Sequence, residues 1–333
     1  MSATIRDIKN QTGLSLATIS KYLNGGNVLP ENRVKIEAAI RELHYEVNEL
    51  ARGLVTSRTK TVGVVVYAVE SLFNGTLIKY IGKALRKLGY GLLICDSDND
   101  EELEERNIRY LLNKKVDGII AVPVSSDGAF LKPAREADVP VVLIDRPLKD
   151  SSCDCVRIDN RQAALRAVRV LIANGHRDIA VISSEREYTA YERYHGFLEA
   201  MDEAGLSVPE EYICLGGHSF EGGNLGMKRL LELSRKPSAV FMTNYEVTLG
   251  AVMALNDSGL SCPEDISFLG FDDLIMSHII KPRITRVVQP MSSLGEKAVE
   301  LLLNHIENGE ELMTTEIVLG TGFMEGDSIR ALE

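Results

Sequence analysis

The spacing of hydrophobic residues changes about sixty residues into the chain. In the first part, apolar residues recur every three or four positions over short segments, which is typical of amphipathic helices. From Thr61 onward, short apolar runs rich in Val and Ile alternate with segments of helical periodicity. Fully apolar strands that alternate with helices predict parallel sheets covered on both faces. The pattern thus predicts a small all-helical part followed by a larger α/β part.

The helical part is predicted to contain three helices. Ile5–Thr12 ends at Gly13, which suits a left-handed helix stop, and Ser15 is placed to cap Leu16–Leu23. A third helix begins at Pro30, a favourable residue for a first turn. Two short helices joined at a glycine-containing turn are typical of the helix-turn-helix motif. A plain three-helix bundle that binds no DNA would give the same local pattern.

The α/β part contains more alternating units than one compact sheet holds, so two similar halves are predicted. Its predicted strands are Thr61–Val66, Tyr90–Cys95, Gly118–Val122, Val139–Ile144, Ile179–Ser183, Tyr212–Leu215, Ala239–Met242 and Ile266–Phe271. Its predicted helices are Leu77–Leu88, Glu101–Asn113, Ala163–Ala173, Tyr191–Ala204, Glu221–Leu233 and Thr248–Ser258. Ligands of such sheets bind beyond the carboxyl ends of the strands. Two sheets that face each other therefore predict a cleft.

The composition narrows the class of protein. A chain of 333 residues suggests two or three domains, and a hydrophobic content of 45% allows buried cores. No apolar run is long enough to span a membrane, and the polar N-terminus lacks the apolar core of a signal peptide. We therefore expect a cytoplasmic protein with no membrane partner. The five cysteines lack the paired spacing of a zinc site, so reduced thiols and no metal or cofactor are expected.

The charge is unevenly distributed. The formal net charge is −11, yet residues 1–60 contain nine Lys/Arg and six Asp/Glu. The basic end can attract phosphates, whereas the acidic remainder is repelled by them. The overall charge therefore does not argue against DNA binding.

The segment Ala17–Gly25 resembles the corresponding part of the LacI/GalR family of bacterial transcription regulators. The resemblance continues in order at residues 43–52, 58–64, 115–120, 139–147, 175–177, 192–197, 263–267, 270–273 and 288–290. It implies an N-terminal all-α helix-turn-helix domain with a hinge helix, followed by a two-lobed α/β core like that of periplasmic binding proteins, with two parallel doubly wound sheets. The implied division is residues 1–46 for the DNA-binding domain, 47–60 for the hinge helix and linker, 61–160 with 291–318 for one lobe, and 161–290 with 319–333 for the other.

The resemblance also implies which residues contact DNA. They are Thr4, Ser15, Leu16, Ala17, Thr18, Ser20, Lys21, Asn24, Asn48, Ala51, Arg52 and Leu54. The implied base contacts are Leu16, Ala17 and Lys21, and the implied phosphate contacts are Thr18, Ser20 and Asn24. Leu16 and Ala17 offer no hydrogen bonds, which leaves apolar contact with thymine methyl groups. Lys21 stands where most relatives carry arginine, so weaker discrimination of guanine is expected. Tyr22, where valine is usual, either fills the core or contacts a base.

Residues 48–55 resemble the hinge helix of the family, which folds on DNA and inserts a leucine into the minor groove. Leu54 falls on that leucine, and an apolar wedge of this kind unstacks a base step. Because the segment is short and contains Gly53, we expect it to order only when two subunits bring two copies together on DNA. The alternative for Leu54 is a linker residue that touches nothing.

The residues implied for the effector cleft are Phe73, Asn74, Asp145, Arg146, Thr189, Arg193, His218, Asn244 and Asp272. Such a mixture of carboxylate, guanidinium, amide and aromatic groups suits a polyhydroxylated ligand. Departures from the family's pattern fall at Tyr67–Ala68, Ser71–Asn74, His218 and Asn244–Tyr245. They leave the identity of the ligand open. Arg193 and Asp272 either contact the ligand or form a structural ion pair with each other. His218 either contacts the ligand or has a structural role.

The sequence therefore predicts a homodimeric, nucleoid-associated regulator, in the first place a repressor. It would bind a palindromic operator through the major groove and a central minor-groove wedge, under control of a small metabolite such as a sugar or sugar derivative. The alternatives are control by a nucleobase or by a protein co-regulator, and a solute-binding protein of the transport type. No phosphate-loop, dinucleotide, hydrolase or zinc-protease motif is found, so no enzyme and no catalytic residue is predicted. His176, which precedes a strand, is expected to be structural.

Overall fold

A computed structural model describes residues 3–45, 58–149, 153–273, 278–309 and 314–332. Its first helices are α1 (Ile5–Thr12), α2 (Leu16–Leu23) and α3 (Pro30–Glu42), which confirms the three predicted helices. They enclose one small core, which is formed by Ile8, Ile19, Ile36 and Ala39. The partly buried Tyr22 packs against this core and donates from its hydroxyl to Glu37 at 2.9 Å, which supports the core-filling alternative.

Local contacts fix the ends of α1 and α2. The Thr4 N–H donates to the Asp7 carboxylate at 2.8 Å at the start of α1. The Ser15 hydroxyl accepts a hydrogen bond from the Thr18 N–H at 3.1 Å, as a helix cap does. Between them, Gly13 has a φ of 72°, a left-handed conformation that glycine adopts without steric cost. These contacts set the turn of the helix-turn-helix.

The rest of the chain alternates strands and helices. The elements up to residue 158 are β1 (Thr61–Val66), α4 (Leu72–Lys87), β2 (Gly91–Asp96), α5 (Glu101–Asn113), β3 (Gly118–Ala121), a 3₁₀ turn (Ala129–Leu131), α6 (Lys132–Glu136), β4 (Val141–Ile144) and β5 (Asp154–Ile158). Those that follow are α7 (Asn160–Ala173), β6 (Ile179–Ile182), α8 (Tyr188–Glu203), a 3₁₀ turn (Glu210–Tyr212), β7 (Ile213–Cys214), α9 (Phe220–Glu232), β8 (Ala239–Met242), α10 (Tyr245–Ser258), β9 (Ser267–Phe271), β10 (Thr285–Val288), α11 (Met291–Asn308), β11 (Glu316–Leu319) and β12 (Gly322–Met324).

These strands form two six-stranded sheets, one in each lobe. The order in the first sheet is β2-β1-β3-β4-β5-β11, with every pair parallel. The order in the second sheet is β7-β6-β8-β9-β10-β12, in which β12 runs antiparallel to β10. β1 and β6 are the first strands of their sheets, and each lies between the next two strands along the chain. The winding therefore reverses beside them, so each sheet is doubly wound. The predicted fold class, a helical N-terminal part and a two-lobed α/β core, is confirmed.

Helices cover both faces of each sheet. In the first lobe, Val62 and Val64 of β1 pack with α4 and α11, whereas Val65 packs with α5. In the second lobe, α7 and α8 cover one face and α9 and α10 cover the other. Each fully buried Val, Leu or Ile side chain contributes about 1.5–3 kcal/mol relative to exposure. The faces are thus apolar, and polar groups are left to the ends of the strands.

The chain passes between the two sheets three times: after β5, after β10 and after β11. Consequently α11 packs on the first lobe although it follows strands of the second. β11 and β12 are neighbours along the chain but belong to different sheets. These three connections hold the carboxyl ends of the two sheets opposite each other.

Several helices begin earlier than the hydrophobic pattern predicts, α4 by five residues and α7, α8 and α10 by three. Their first turns mix polar with apolar residues, so the apolar period is not evident there. Asn244, for example, caps α10 by accepting the Val247 N–H at 2.7 Å. The pattern also did not reveal β5, α6, β10, α11, β11 or β12. In β10 the buried Arg286 interrupts the apolar run that would have indicated a strand.

Close packing of α9 against α10 depends on glycine. A Cβ atom at Gly250 of α10 would overlap the Phe220 carbonyl oxygen of α9, and one at Gly223 would overlap the Val247 carbonyl oxygen. We predict that Gly250→Ala lowers the free energy of unfolding by about 2–3 kcal/mol, because backbone must move to admit the methyl group. Urea denaturation followed by circular dichroism measures this.

The control for this prediction is Gly75→Ala in α4, where a Cβ atom would meet nothing within 4 Å. That substitution is expected to stabilise the protein by about 0.5–1 kcal/mol, since alanine favours a helix over glycine. Equal urea midpoints for the two variants would contradict the proposed role of Gly250.

Candidate functional site

A cleft lies between the carboxyl ends of the two sheets. It is lined by Tyr67, Phe73, Asp145, Arg146, Thr189, Arg193, His218, Asn244, Glu246, Asp272 and Gln289. Most of these residues follow a strand closely: Tyr67 comes after β1, Asp145 after β4, Asn244 after β8, Asp272 after β9 and Gln289 after β10. This is where doubly wound sheets bind ligands, because the helices no longer cover both faces.

Asp145 and Asp272 occupy matching places in the two lobes. Each directly follows the fourth strand of its sheet, β4 or β9, and their φ angles are 71° and 76°. The left-handed region is uncommon for residues other than glycine, although aspartate tolerates it better than most. Backbone conformations of this kind cluster at binding sites and catalytic sites. Their recurrence at both walls of the cleft supports a binding role.

Arg193 of α8 is buried and firmly held. Its Nε donates to Asn160 Oδ1 at 2.8 Å, and its Nη1 donates to the Thr243 carbonyl at 2.7 Å. The guanidinium carbon lies 3.7 Å from the centroid of the Phe271 ring. Asp272 accepts a bond from Gln289 Nε2 at 2.6 Å, and in the described part of the chain no ion pair joins it to Arg193. The two residues therefore do not form the ion pair that was the alternative, and their contact with a ligand stays a prediction.

Arg146 lies on the wall formed by the first lobe. Its guanidinium carbon is 4.2 Å from the centroid of the Tyr67 ring, and its Nη1 donates to the Pro123 carbonyl at 3.1 Å. Its Nε is 4.0 Å from Asp145 Oδ2. Tyr67, one of the positions at which this chain departs from the family's pattern, thus provides a flat surface against which this arginine stacks.

The loop that holds Arg146 is itself held by a buried acid, Glu104. The Glu104 carboxylate of α5 accepts the Val124 N–H at 2.8 Å and the Ser125 N–H at 3.1 Å. These amides follow Pro123 directly, so the carboxylate fixes the carbonyl that Arg146 uses. Burial raises the pKa of Glu104 to about 7, although both amides act to lower it.

Three buried atoms of the cleft have no hydrogen-bond partner among the described residues: Arg146 Nε, His218 Nδ1 and Gln289 Oε1. They comprise a donor, an imidazole nitrogen and an acceptor. A buried polar atom without a partner costs about 1–3 kcal/mol. A bound molecule with several hydroxyl groups could satisfy all three, since a hydroxyl both donates and accepts.

Burial is the largest cause of the pKa shifts of the titratable side chains in the cleft. It raises the pKa of Asp145, although Arg193 and Arg146 oppose this, and it raises the pKa of Glu246, to which Asp272 adds. Burial also lowers the pKa of His218 well below its ordinary value, and the two arginines lower it further. The imidazole is therefore neutral at physiological pH. A neutral ring can donate at one nitrogen and accept at the other.

The structure brings eight of the nine residues predicted for the cleft together. The ninth, Asn74, is buried outside the lining and donates from Nδ2 to the Ala68 carbonyl at 2.7 Å, which closes the loop before α4. Tyr67, Glu246 and Gln289 line the cleft but were not predicted. Gln289 follows β10, which the hydrophobic pattern had not revealed, so its position after a strand was hidden.

The residues predicted to contact bases lie together on α2. Leu16, Ala17 and Lys21 are exposed, and Leu16 keeps 39% of its surface accessible although it is apolar. The hydroxyls of Ser15 and Thr18 lie 2.9 Å apart, and Asn24 Nδ2 donates to Ser20 Oγ at 3.3 Å. Thr4 is exposed at the start of α1. The remaining predicted contacts, Asn48, Ala51, Arg52 and Leu54, lie outside the described residues.

The predictions for His176, the cysteines, metal sites and membrane-spanning helices can also be compared with the structure. Both ring nitrogens of the buried His176 have partners, Ser238 Oγ at 2.9 Å and the Arg330 carbonyl at 3.1 Å, which confirms its structural role. All five cysteines lie in the described ranges and are unpaired thiols. Over those ranges, no group of side chains suited to a metal ion is found, and no helix is long and apolar enough to cross a bilayer.

A helix-turn-helix unit joined to a two-lobed core with a polar cleft defines the class of ligand-responsive DNA-binding regulators. A family model described as periplasmic binding proteins and sugar binding domain of LacI family matches residues 59–321. Catabolite control protein A of Priestia megaterium is 33% identical over 321 residues, which cover 96% of each chain. The ribose operon repressor of Escherichia coli K12 is 31% identical over 331 residues, 96% of this chain and 99% of that protein.

A solved structure agrees with these sequence relatives. The complex of the transcriptional regulator CelR with cellobiose is 29% identical, covers 98% of this chain and 99% of its own, and has a TM-score of 0.75. The chain therefore belongs to the LacI family of transcription regulators. The relatives are regulators, in agreement with the prediction that the protein is not an enzyme.

Glu104 makes stability depend on pH. Because its pKa is raised from the ordinary 4.5 to about 7, its stabilising contribution is fully present below about pH 4.5 and is lost as the pH rises through 7. We predict that the melting temperature of the wild-type protein falls more steeply between pH 5 and about pH 7 than that of Glu104→Gln, which does not titrate. Circular dichroism melts across this range measure the difference.

Glu102→Gln serves as the control, since Glu102 lies on the same helix and is exposed. It should follow the wild-type pH profile. Identical profiles for all three proteins would show that Glu104 does not titrate in this range.

Proposed function

We propose that the protein is a homodimeric repressor that binds a palindromic operator through α2 and the predicted hinge, and that a small carbohydrate in the cleft controls this binding. The observation that carries the proposal is the set of unpartnered buried atoms on Arg146, His218 and Gln289 beside the firmly held Arg193. Sugar hydroxyls match these groups. One relative is a ribose operon repressor, and the CelR structure is a complex with cellobiose.

The balance of charges favours a neutral, polyhydroxylated ligand over the alternatives. The cleft contains two arginines and three carboxylates, so it offers no surplus of positive charge for a strongly anionic ligand. A planar nucleobase remains the second candidate, because Phe73 and Tyr67 supply aromatic surface. A protein co-regulator, the other alternative, would have to bind outside this cleft, because most of the lining side chains are buried.

The dimer follows from the symmetry of the expected operator. Each half of a palindrome is bound by one helix-turn-helix, so two copies related by a two-fold axis are required. Exposed apolar side chains on both lobes, among them Ile94 on the edge strand β2, Leu225 on α9 and Met253 on α10, provide surface for such an interface. We further propose the division into residues 1–46, 47–60, 61–160 with 291–318, and 161–290 with 319–333, and a cytoplasmic location at the nucleoid.

The DNA half of the proposal is tested by selecting palindromic duplexes with the full-length protein and measuring fluorescence anisotropy at two salt concentrations. Affinity should fall steeply with salt, because phosphate contacts release counterions. Lys21→Ala should weaken binding to the selected site about tenfold or more, since a base contact is worth about 1–3 kcal/mol. Binding to random duplex should change far less.

Lys35→Ala is the matched control, because it removes the same charge from an exposed position on α3. If both lysine variants weaken specific and random binding equally, Lys21 contributes charge alone. If no sequence is selected by the wild-type protein, the operator-binding proposal fails.

The ligand half is tested by a thermal-shift screen against ribose, cellobiose, other sugars, sugar phosphates and nucleobases. A ligand at 100 times its Kd stabilises the protein by about 2.7 kcal/mol, which raises the melting temperature by several degrees. His218→Ala should abolish the shift, whereas His195→Ala, outside the cleft lining, should retain it. A shift only with nucleobases would favour the second candidate, and no shift at all would contradict a small-molecule sensor.

A further inference from the structure

Thr59 and Lys60, which directly precede β1, are held by a clamp formed by the carboxylate of Asp117. Asp117 Oδ1 accepts the Thr59 N–H at 2.7 Å, and its Oδ2 accepts the Lys60 N–H at 2.9 Å. The Thr59 hydroxyl lies 3.0 Å from the same Oδ1 and donates to the Lys115 carbonyl at 2.7 Å. The Asp117 N–H in turn donates to the Thr61 carbonyl at 2.8 Å. Three consecutive residues are thus held by one turn.

This clamp lies at the end of the first sheet opposite the cleft. Asp117 immediately precedes β3, and Thr61 begins β1, its parallel neighbour, so both mark amino ends of strands. Carboxylate bonds to backbone N–H groups are shorter and stronger than neutral ones and are directional. They therefore set the direction in which the chain leaves the core.

A second contact restrains the same segment. The Arg58 guanidinium donates to the Ile306 carbonyl near the carboxyl end of α11, where the last carbonyls of a helix lack partners within the helix. Residues 58–60 are therefore fixed both by the loop before β3 and by α11. These two elements belong to the packed core of the first lobe.

We propose that Asp117 is a positioning residue for operator binding, which acts by fixing residues 58–60 and so the placement of the DNA-binding part relative to the core. It touches no DNA itself. The inference rests on the proposed function and adds to it a residue that neither the cleft nor the helix-turn-helix contains. In a dimer, two such clamps set the separation of the two DNA-binding parts.

The proposed role of Asp117 and its negative charge predict opposite effects on operator affinity when the carboxylate is removed. Removing a carboxylate from a DNA-binding protein lowers its repulsion of phosphate and should strengthen binding. The Asp117→Asn variant keeps one acceptor oxygen but turns an amide group toward a backbone N–H, so one donor of the clamp is left unpaired. We expect operator affinity to fall about five- to a hundredfold, against the direction of the charge change.

The experiment compares the full-length wild type with Asp117→Asn and with Asp138→Asn. Asp138 is exposed and lies before β4, at the same end of the same sheet, so the control removes the same charge nearby without touching residues 58–60. Anisotropy with the selected operator and with a random duplex of equal length gives the ratio of specific to random binding. Asp117→Asn should reduce this ratio, and Asp138→Asn should leave it unchanged.

A merely structural role would lower the melting temperature without changing the ratio of specific to random binding, and that result would overturn the inference. If Asp117→Asn does not fold, Thr59→Val tests the inference in its place. This substitution removes the contacts of the Thr59 hydroxyl and keeps the two backbone N–H bonds to the Asp117 carboxylate. It should reduce the ratio about three- to tenfold, and an unchanged ratio would again contradict the inference. A wild type that selects no operator would instead contradict the proposed function, so the two failures are distinguishable.

Discussion

Coverage of both faces of two parallel sheets by helices is the constraint on which the rest of this molecule depends. Where the covered faces are apolar and buried, polar side chains from different strands meet mainly at the places where the strands end. The two lobes place two such ends opposite each other. The cleft therefore owes its geometry to packing contacts, such as those of Val62 and Val65 with helices on opposite faces, that lie far from it.

Burial also governs the chemistry of the cleft. Two arginines and three carboxylates share a cleft in which most of the lining side chains are buried, so their charges interact strongly and each must be fixed by neighbours. Arg193 is fixed by Asn160 and Thr243, and Arg146 by Pro123 and Tyr67. What these contacts leave unsatisfied is a small set of donors and acceptors. A ligand of this cleft would therefore be recognised more by its hydrogen bonds than by its net charge.

The hydrophobic pattern predicts the buried apolar strands well, but it predicts poorly the helix starts and strands that contain polar residues. Continuous runs such as Thr61–Val66 and Ala239–Met242 were found with their observed bounds, because burial on both faces leaves no ambiguity. Helix starts were predicted late, since capping residues such as Asn244 are polar and interrupt the period. β10 was missed because its buried Arg286 pairs with Asp273, a contact that no local pattern reveals.

The candidate site depended even more on contacts distant in sequence. Family resemblance placed eight of the cleft residues correctly together, since strand ends recur at equivalent positions. Tyr67 lies where this chain departs from the family's pattern, and Glu246 directly follows another departure, Asn244–Tyr245, so resemblance gave no guide to them. The hydrogen bonds from the Val124 and Ser125 N–H groups to the Glu104 carboxylate join residues about twenty positions apart in the sequence. Only the folded chain shows that such a residue supports the cleft.

The length of α11 has a mechanical consequence. The helix begins directly after Gln289 and Pro290, where Gln289 bonds Asp272 in the cleft, and its last turn meets Arg58. With 18 residues it is about 27 Å long, and a packed helix bends little. Each degree of tilt at its cleft end would move its far end by about half an ångström. A rotation of a few degrees between the lobes would thus become a displacement comparable to a hydrogen-bond length at the base of the DNA-binding part.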